Sequence, residues 1–134
     1  MKKKIFVNLP VKNLKTSKDF FGKLGYQFNP QFSNDKAACM VVSDDIYVMM
    51  LTEKFFGTFT KKAIVNAHES TEVLVCLNAE SREAVDAHVE KALQAGATET
   101  RKAQDHGFMY GRSYQDPDGH IWEIMWMDET AATT

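Results

Sequence analysis

Gln115-Asp116-Pro117-Asp118-Gly119-His120-Ile121-Trp122-Glu123-Ile124-Met125-Trp126-Met127 is the stretch from which the fold is read. An Asp-Pro-Asp-Gly turn leads into a run so apolar that both faces of a strand must be covered. Glu123 stands in the middle of that run. A buried carboxylate without a partner is too costly to keep, so the position calls for a cation, a set of hydrogen bonds or a solvated cavity. Alternation puts Ile121, Glu123 and Met125 on one face and leaves Trp122, Ile124 and Trp126 to pack against a helix.

Working outward, the same order of elements occurs twice. Ile5 to Val11 reads as a strand, with Ile5, Val7, Leu9 and Val11 on one face and Phe6, Asn8 and Pro10 on the other. Asn13 is placed to cap a helix over Leu14 to Leu24, whose stripe is Leu14, Ser17, Phe20, Phe21 and Leu24, and Gly25 stops it. Strand patterns follow at Tyr26 to Phe32, Ala37 to Val42 and Ile46 to Leu51. In the second half, Glu72 to Leu77 is a strand and Ser81 to Ala95 a helix with Ala84, Val85, His88, Ala92 and Leu93 inward and Gly96 as its stop. Strands then fall at Thr98 to Lys102, Phe108 to Gln115 and His120 to Met127. The expectation is an α+β fold of two tandem βαβββ modules, about 1–52 and 71–128, within a single domain. The connection between them, about 53–70, carries Phe55, Phe56 and Phe59 and exceeds the ~12–15 residues usual for an irregular segment. It reads either as a lid or linker or as a short helix around Glu53 to Phe59 covering a sheet edge.

Composition narrows the function classes. The chain is 44% hydrophobic and 25% charged with a net charge of -2, and its one basic cluster is Lys2-Lys3-Lys4. Nucleic acid and an anionic membrane surface are disfavoured as partners, since either needs an excess of Lys and Arg. No apolar run approaches the ~18 residues of a membrane span, and a cytoplasmic location is expected. Cys39 and Cys76 lie inside apolar strand patterns without CxxC spacing, which reads as two buried free thiols. Phosphate loops, nucleophile elbows, HExxH and cysteine-histidine zinc patterns are missing from the sequence.

Two segments carry a family resemblance. Val7 to Phe21 followed by Leu24-Gly25, and Asp116 to Ile124, resemble the opening strand and helix and the closing turn and strand of the vicinal oxygen chelate superfamily. That group contains glyoxalase I, bleomycin-resistance proteins and extradiol dioxygenases, and the chain looks most like small bacterial predicted lactoylglutathione lyases. The resemblance implies a curved, funnel-shaped mixed sheet with helices outside, a site inside the funnel, and often a homodimer. It also implies a divalent metal held from the first and fourth strand of each module, positions that fall here on Phe6, Met50, Glu72 and Glu123. Phenylalanine cannot ligate, and a thioether suits such metals poorly.

The expected protein is therefore glyoxalase-like and takes a small-molecule ligand, without being a true glyoxalase I. Glu72 and Glu123 are the candidate catalytic and metal-holding residues, a facing acidic pair that would keep either a proton or one divalent metal (Ni, Zn, Mn or Fe). One alternative is a metal-dependent lyase, isomerase or dioxygenase; the other is a metal-free binding protein of the bleomycin-resistance type. Phe6, Asn8, Met50, Tyr110, Arg112 and His106 are the candidate substrate-binding residues, with Tyr47 a lesser one. Phe108, Tyr110, Arg112 and Tyr114 share one strand face, which lines either the funnel or the outside. His106, in a polar loop entering that strand, reads as a ligand, a base or a surface residue.

Overall fold

The helix expected near the N-terminus runs Leu14–Lys23 (α1), and Asn13 caps it by accepting from the Thr16 amide at 3.1 Å. Its buried side chains are Ser17, Phe20 and Phe21, members of the stripe read from the sequence. In the computed structural model, which describes residues 1–132, this helix packs on a sheet of Ile5–Val11 (β1), Gln27–Phe28 (β2), Ala37–Ser43 (β3) and Ile46–Thr52 (β4). The strand order is β1-β4-β3-β2, with β1 parallel to β4 and the other pairs antiparallel. The strand expected over Tyr26 to Phe32 stops after Phe28, because Pro30 opens a short 3-10 turn over Pro30–Phe32 that Asn29 caps. Glu53–Phe56 (α2) follows β4 directly, and Phe55 meets Phe59 edge to face at 5.1 Å.

The second unit begins at Asn66, the first ending at Val65. It contains Leu74–Asn78 (β5), Arg82–Gln94 (α3), Thr98–Glu99 (β6), Gln104–Asp105 (β7), Met109–Gln115 (β8) and Ile121–Met127 (β9), followed by Glu129–Ala132 (α4). The sheet order is β5-β9-β8-β6, with β7 also paired to β8. β5 is parallel to β9, and every other pair is antiparallel. The architecture is thus α+β, with a βαβββ order in each half and a helix against one face of each sheet. Of the expected strand Thr98 to Lys102 the first two residues, β6, pair with β8, and the chain returns to β8 beyond it with β7, again for two residues. Val89, outside the stripe read from the sequence, joins Val85 and Ala92 as the buried face of α3. Among the described residues, no helix is long and apolar enough to cross a membrane.

The core of this unit is Trp122 and Tyr114 under α3, both at 0% exposure. Burying aromatic side chains of this size contributes about 2–3 kcal/mol each. Tyr114 shares a 3.0 Å hydrogen bond with His88 Nε2, and desolvation lowers the His88 pKa, keeping the imidazole neutral there. A second fastening joins the start of α3 to β7. Arg82 donates to both Asp105 oxygens at 2.7 and 2.8 Å and to the Gly107 carbonyl at 2.8 Å, and its guanidinium lies over Tyr110 and Trp126.

Arg82, helped by the Gly107 amide, holds the Asp105 carboxyl at about 2, below its ordinary 3.8. The contribution of this carboxylate is complete above the ordinary value and is lost as pH falls through the folded one. Asp105→Asn is expected to melt below the parent protein at neutral pH, with the gap closing between 3.8 and about 2 in circular-dichroism melts. A gap unchanged across that window would mean that the ionised carboxylate has no part in it.

Candidate functional site

Alternation on β9 gives Glu123 its place. Trp122 and Ile124 are buried on the α3 side, so Glu123, Ile121 and Met125 occupy the opposite, open face. Register then fixes the neighbours of the carboxylate. Cys76 of β5 and Ser113 of β8 lie directly across from it, forming a row Cys76–Glu123–Ser113 over three strands. The Ser113 hydroxyl is hydrogen-bonded to the Thr100 hydroxyl, and the Thr100 amide donates to the Ser113 carbonyl at 3.3 Å. The next row along is Asn78–Met125–Gly111, with Gln104 across from Gly111. Gly111 has no side chain, which leaves a dip beside Met125.

The dip is a pocket of about 80 Å³. Cys76, Glu123, Met125, Met109, Arg101 and Gln104 are among its lining residues. Cys76 is exposed, contrary to the expectation of a buried thiol, because the face of β5 that it shares with Leu74 carries no helix. Partial burial, and secondarily the Glu123 charge, push its pKa up, so the group stays a neutral thiol at physiological pH.

The other candidate residues fall in different places. Glu72 precedes β5, which starts at Leu74, and it is exposed. The residue paired with Glu123 is Cys76, four positions further on, a separation of about 13 Å along an extended chain. The acidic pair is therefore not formed within this sheet. Tyr110 and Arg112 face α3 instead of the pocket side, so their shared face is not the one that carries Glu123. Arg112 donates to Glu99, Asp86 and Glu90 at 2.9, 3.0 and 3.3 Å, and Tyr110 donates to Asp86 at 2.6 Å. Three carboxylates raise the Arg112 pKa further, and the residue clamps strand to helix. His106 is exposed in the β7–β8 turn, where its amide donates to the Met109 carbonyl at 2.8 Å.

In the first unit, Phe6 and Asn8 occupy the open face of β1, across from Tyr47 and Met49, and the Phe6 ring stacks on Tyr47 at 4.8 Å. Met50 lies on the other face. It pairs with Leu9 and Ala38 and is 1% exposed, a core residue on the side of α1. The run Val48-Met49-Met50-Leu51 is apolar on both faces, so alternation alone could not orient it.

A divalent metal fits this donor set poorly. Hard or borderline ions take several charged oxygen or imidazole ligands, whereas beside Glu123 the pocket offers the Cys76 thiol, two thioethers and the neutral Gln104 and Ser113 side chains, with no second carboxylate and no imidazole among its lining residues. Among the described residues, no group of three or more His, Cys, Asp or Glu side chains is placed to hold an ion.

Comparison with known proteins agrees with the fold. The family model described as Glyoxalase/Bleomycin resistance protein/Dioxygenase superfamily matches residues 5–124. Hypothetical protein SA1046 from S. aureus is similar at 25% identity and a TM-score of 0.79, over 94% of this chain and 95% of that one. A glyoxalase-related enzyme from Fulvimarina pelagi is 20% identical with a TM-score of 0.76, over 94% and 88%. The fosfomycin resistance protein FosX from Mesorhizobium Loti is 12% identical with a TM-score of 0.70, over 100% and 99%. No curated protein matches the sequence.

Proposed function

The chain belongs to the glyoxalase/bleomycin resistance protein/dioxygenase superfamily, and from that premise we propose that it is a metal-free small-molecule-binding protein, with its ligand on the open face of the second sheet around Glu123. One observation carries the reading. Glu123 is the carboxylate of a pocket whose other side chains include the thioethers of Met109 and Met125 and the Cys76 thiol. Flexible thioether walls adapt to an apolar body, and a carboxylate orients one polar group against them.

A metal-dependent lyase or dioxygenase is the second reading, and it is supported by the central place of Glu123 on its face. Its chemistry would need donors beyond those this face supplies. Pairing of two copies belongs to the first reading, supported by Val73, Leu74, Phe108 and Met127, large apolar side chains left exposed in this unit.

The test is a thermal-shift series on chelator-stripped protein with Ni, Zn, Mn, Fe(II) and Mg, beside a Glu123→Gln variant. A resident ion at a hundredfold excess over its Kd would add about 2.7 kcal/mol of stability. No metal-dependent shift is expected. Stabilisation of the parent protein by one metal, lost in Glu123→Gln, would replace this reading with the metal-dependent one.

A further inference from the structure

Arg101, Arg112 and Glu123 are the charged residues along the pocket, and while Arg112 is paired on its α3 side, Arg101 and Glu123 are not answered within the protein. Among the described residues, the side chains of Glu123 and Arg101 make no ion pair or hydrogen bond, with each other or with any other group. The contrast with their surroundings is sharp. Arg82 and Arg112 of the same unit are fully engaged by carboxylates. Arg101 instead follows Thr100, whose hydroxyl is bonded to Ser113, and Ser113 is the cross-strand neighbour of Glu123. Arg101 is thus held beside the row of Glu123, and both residues line the pocket, Arg101 exposed and Glu123 half-buried. Met125 and Met109 supply apolar wall, and Gly111 leaves the space between them.

We propose that the ligand of this pocket is a small amphoteric molecule: an anionic group, carboxylate or phosphoryl, seats on Arg101, a protonated amine seats on Glu123, and a short apolar body lies against the methionines. The inference rests on the reading of the pocket as the ligand site and adds the chemical class. Charge-assisted hydrogen bonds at both ends give such a molecule an advantage that a singly charged one lacks. A planar guanidinium also suits a carboxylate or phosphoryl group better than an ammonium does.

The experiment is an amide-resolved NMR titration of the full chain with aminopentanoate, pentylamine and pentanoate at equal ionic strength. Aminopentanoate is expected to shift the Cys76, Gly111 and Ser113 amides and to bind about tenfold more tightly than either control. Arg101→Gln should reduce its affinity to that of pentylamine, and Glu123→Gln to that of pentanoate. Glu123→Gln is isosteric and Arg101→Gln shortens an exposed side chain, and unchanged melting temperatures would show that both variants remain folded. Equal binding by all three probes at those amides overturns the amphoteric class while leaving the pocket as the ligand site. Shifts confined to other amides, or none with any probe, overturn both.

Discussion

Gly119→Ala is expected to destabilise the protein by about 3–5 kcal/mol, lowering Tm by more than about 10 °C. Two effects add. Gly119 has a φ of +91°, a conformation that L side chains rarely adopt. A Cβ there would also stand 2.6 Å from the His68 nitrogen and 2.7 Å from the Ala67 carbonyl carbon, which are backbone atoms that cannot swing away. The chain at 67–68 would have to move, and with it the 3.3 Å contact between His68 and Gln115. Gly107→Ala separates the two effects. Its φ is +80°, but a Cβ there meets nothing within 4 Å, so only the backbone cost of about 1 kcal/mol is expected. Circular-dichroism melts of both variants decide the matter, and equal losses would rule out the close approach as a cause.

Asp116→Ala should cost a comparable amount, about 3–4 kcal/mol, for a different reason. Asp116 is 5% exposed and organises the turn from below. Its Oδ1 accepts from the Asp118 and His120 amides at 2.9 and 3.0 Å, while its Oδ2 accepts from the Trp122 indole N–H at 2.9 Å. Truncation removes the carboxylate oxygen to which that buried indole N–H donates. Asp116→Asn keeps an oxygen for the two amides but turns an amide N–H₂ toward the indole, so about half the loss is expected. Burial outweighs the donors and raises the Asp116 pKa above 3.8. Its contribution to stability is therefore greatest below that value and declines as pH rises through the folded pKa. The Asn variant, which cannot ionise, should lack this decline. Chemical denaturation of the three proteins at several pH values measures both effects, and equal stability of the Ala and Asn variants would contradict the split between the two oxygens.

Periodicity made most of this architecture legible, because α1, α3, β1 and β9 each bury one face more deeply than the other. Where the pattern lost contrast, the reading slipped. Met50 sits in a run apolar on both sides, so its pairing with Leu9 was needed to place it in the core. The apolar pattern begins β5 at Glu72, whereas the strand takes its first partner at Leu74, opposite Ile121, just beyond the Asp116–Gly119 turn. The boundary is set by a partner forty-seven positions away, which local sequence does not carry. Alternation groups Arg112 with Tyr110 and Tyr114, but the carboxylates of Asp86, Glu90 and Glu99 decide which side that group faces. Nothing in the sequence pattern marks Arg101 and Gln104 as pocket residues, because Arg101 stands in a polar segment without period and Gln104 opens a strand of only two residues.

β8 divides its labour residue by residue. Tyr110, Arg112 and Tyr114 tie the sheet to α3, while Met109, Gly111 and Ser113 look out over the pocket. A Cβ at Gly111 would meet only ordinary van der Waals neighbours, the nearest at 3.5 Å. Inheritance can thus rewrite one set of positions while the other is held constant. A lineage carrying this strand is free to reshape the pocket by exchanging alternate residues, with the frame that presents them unaltered.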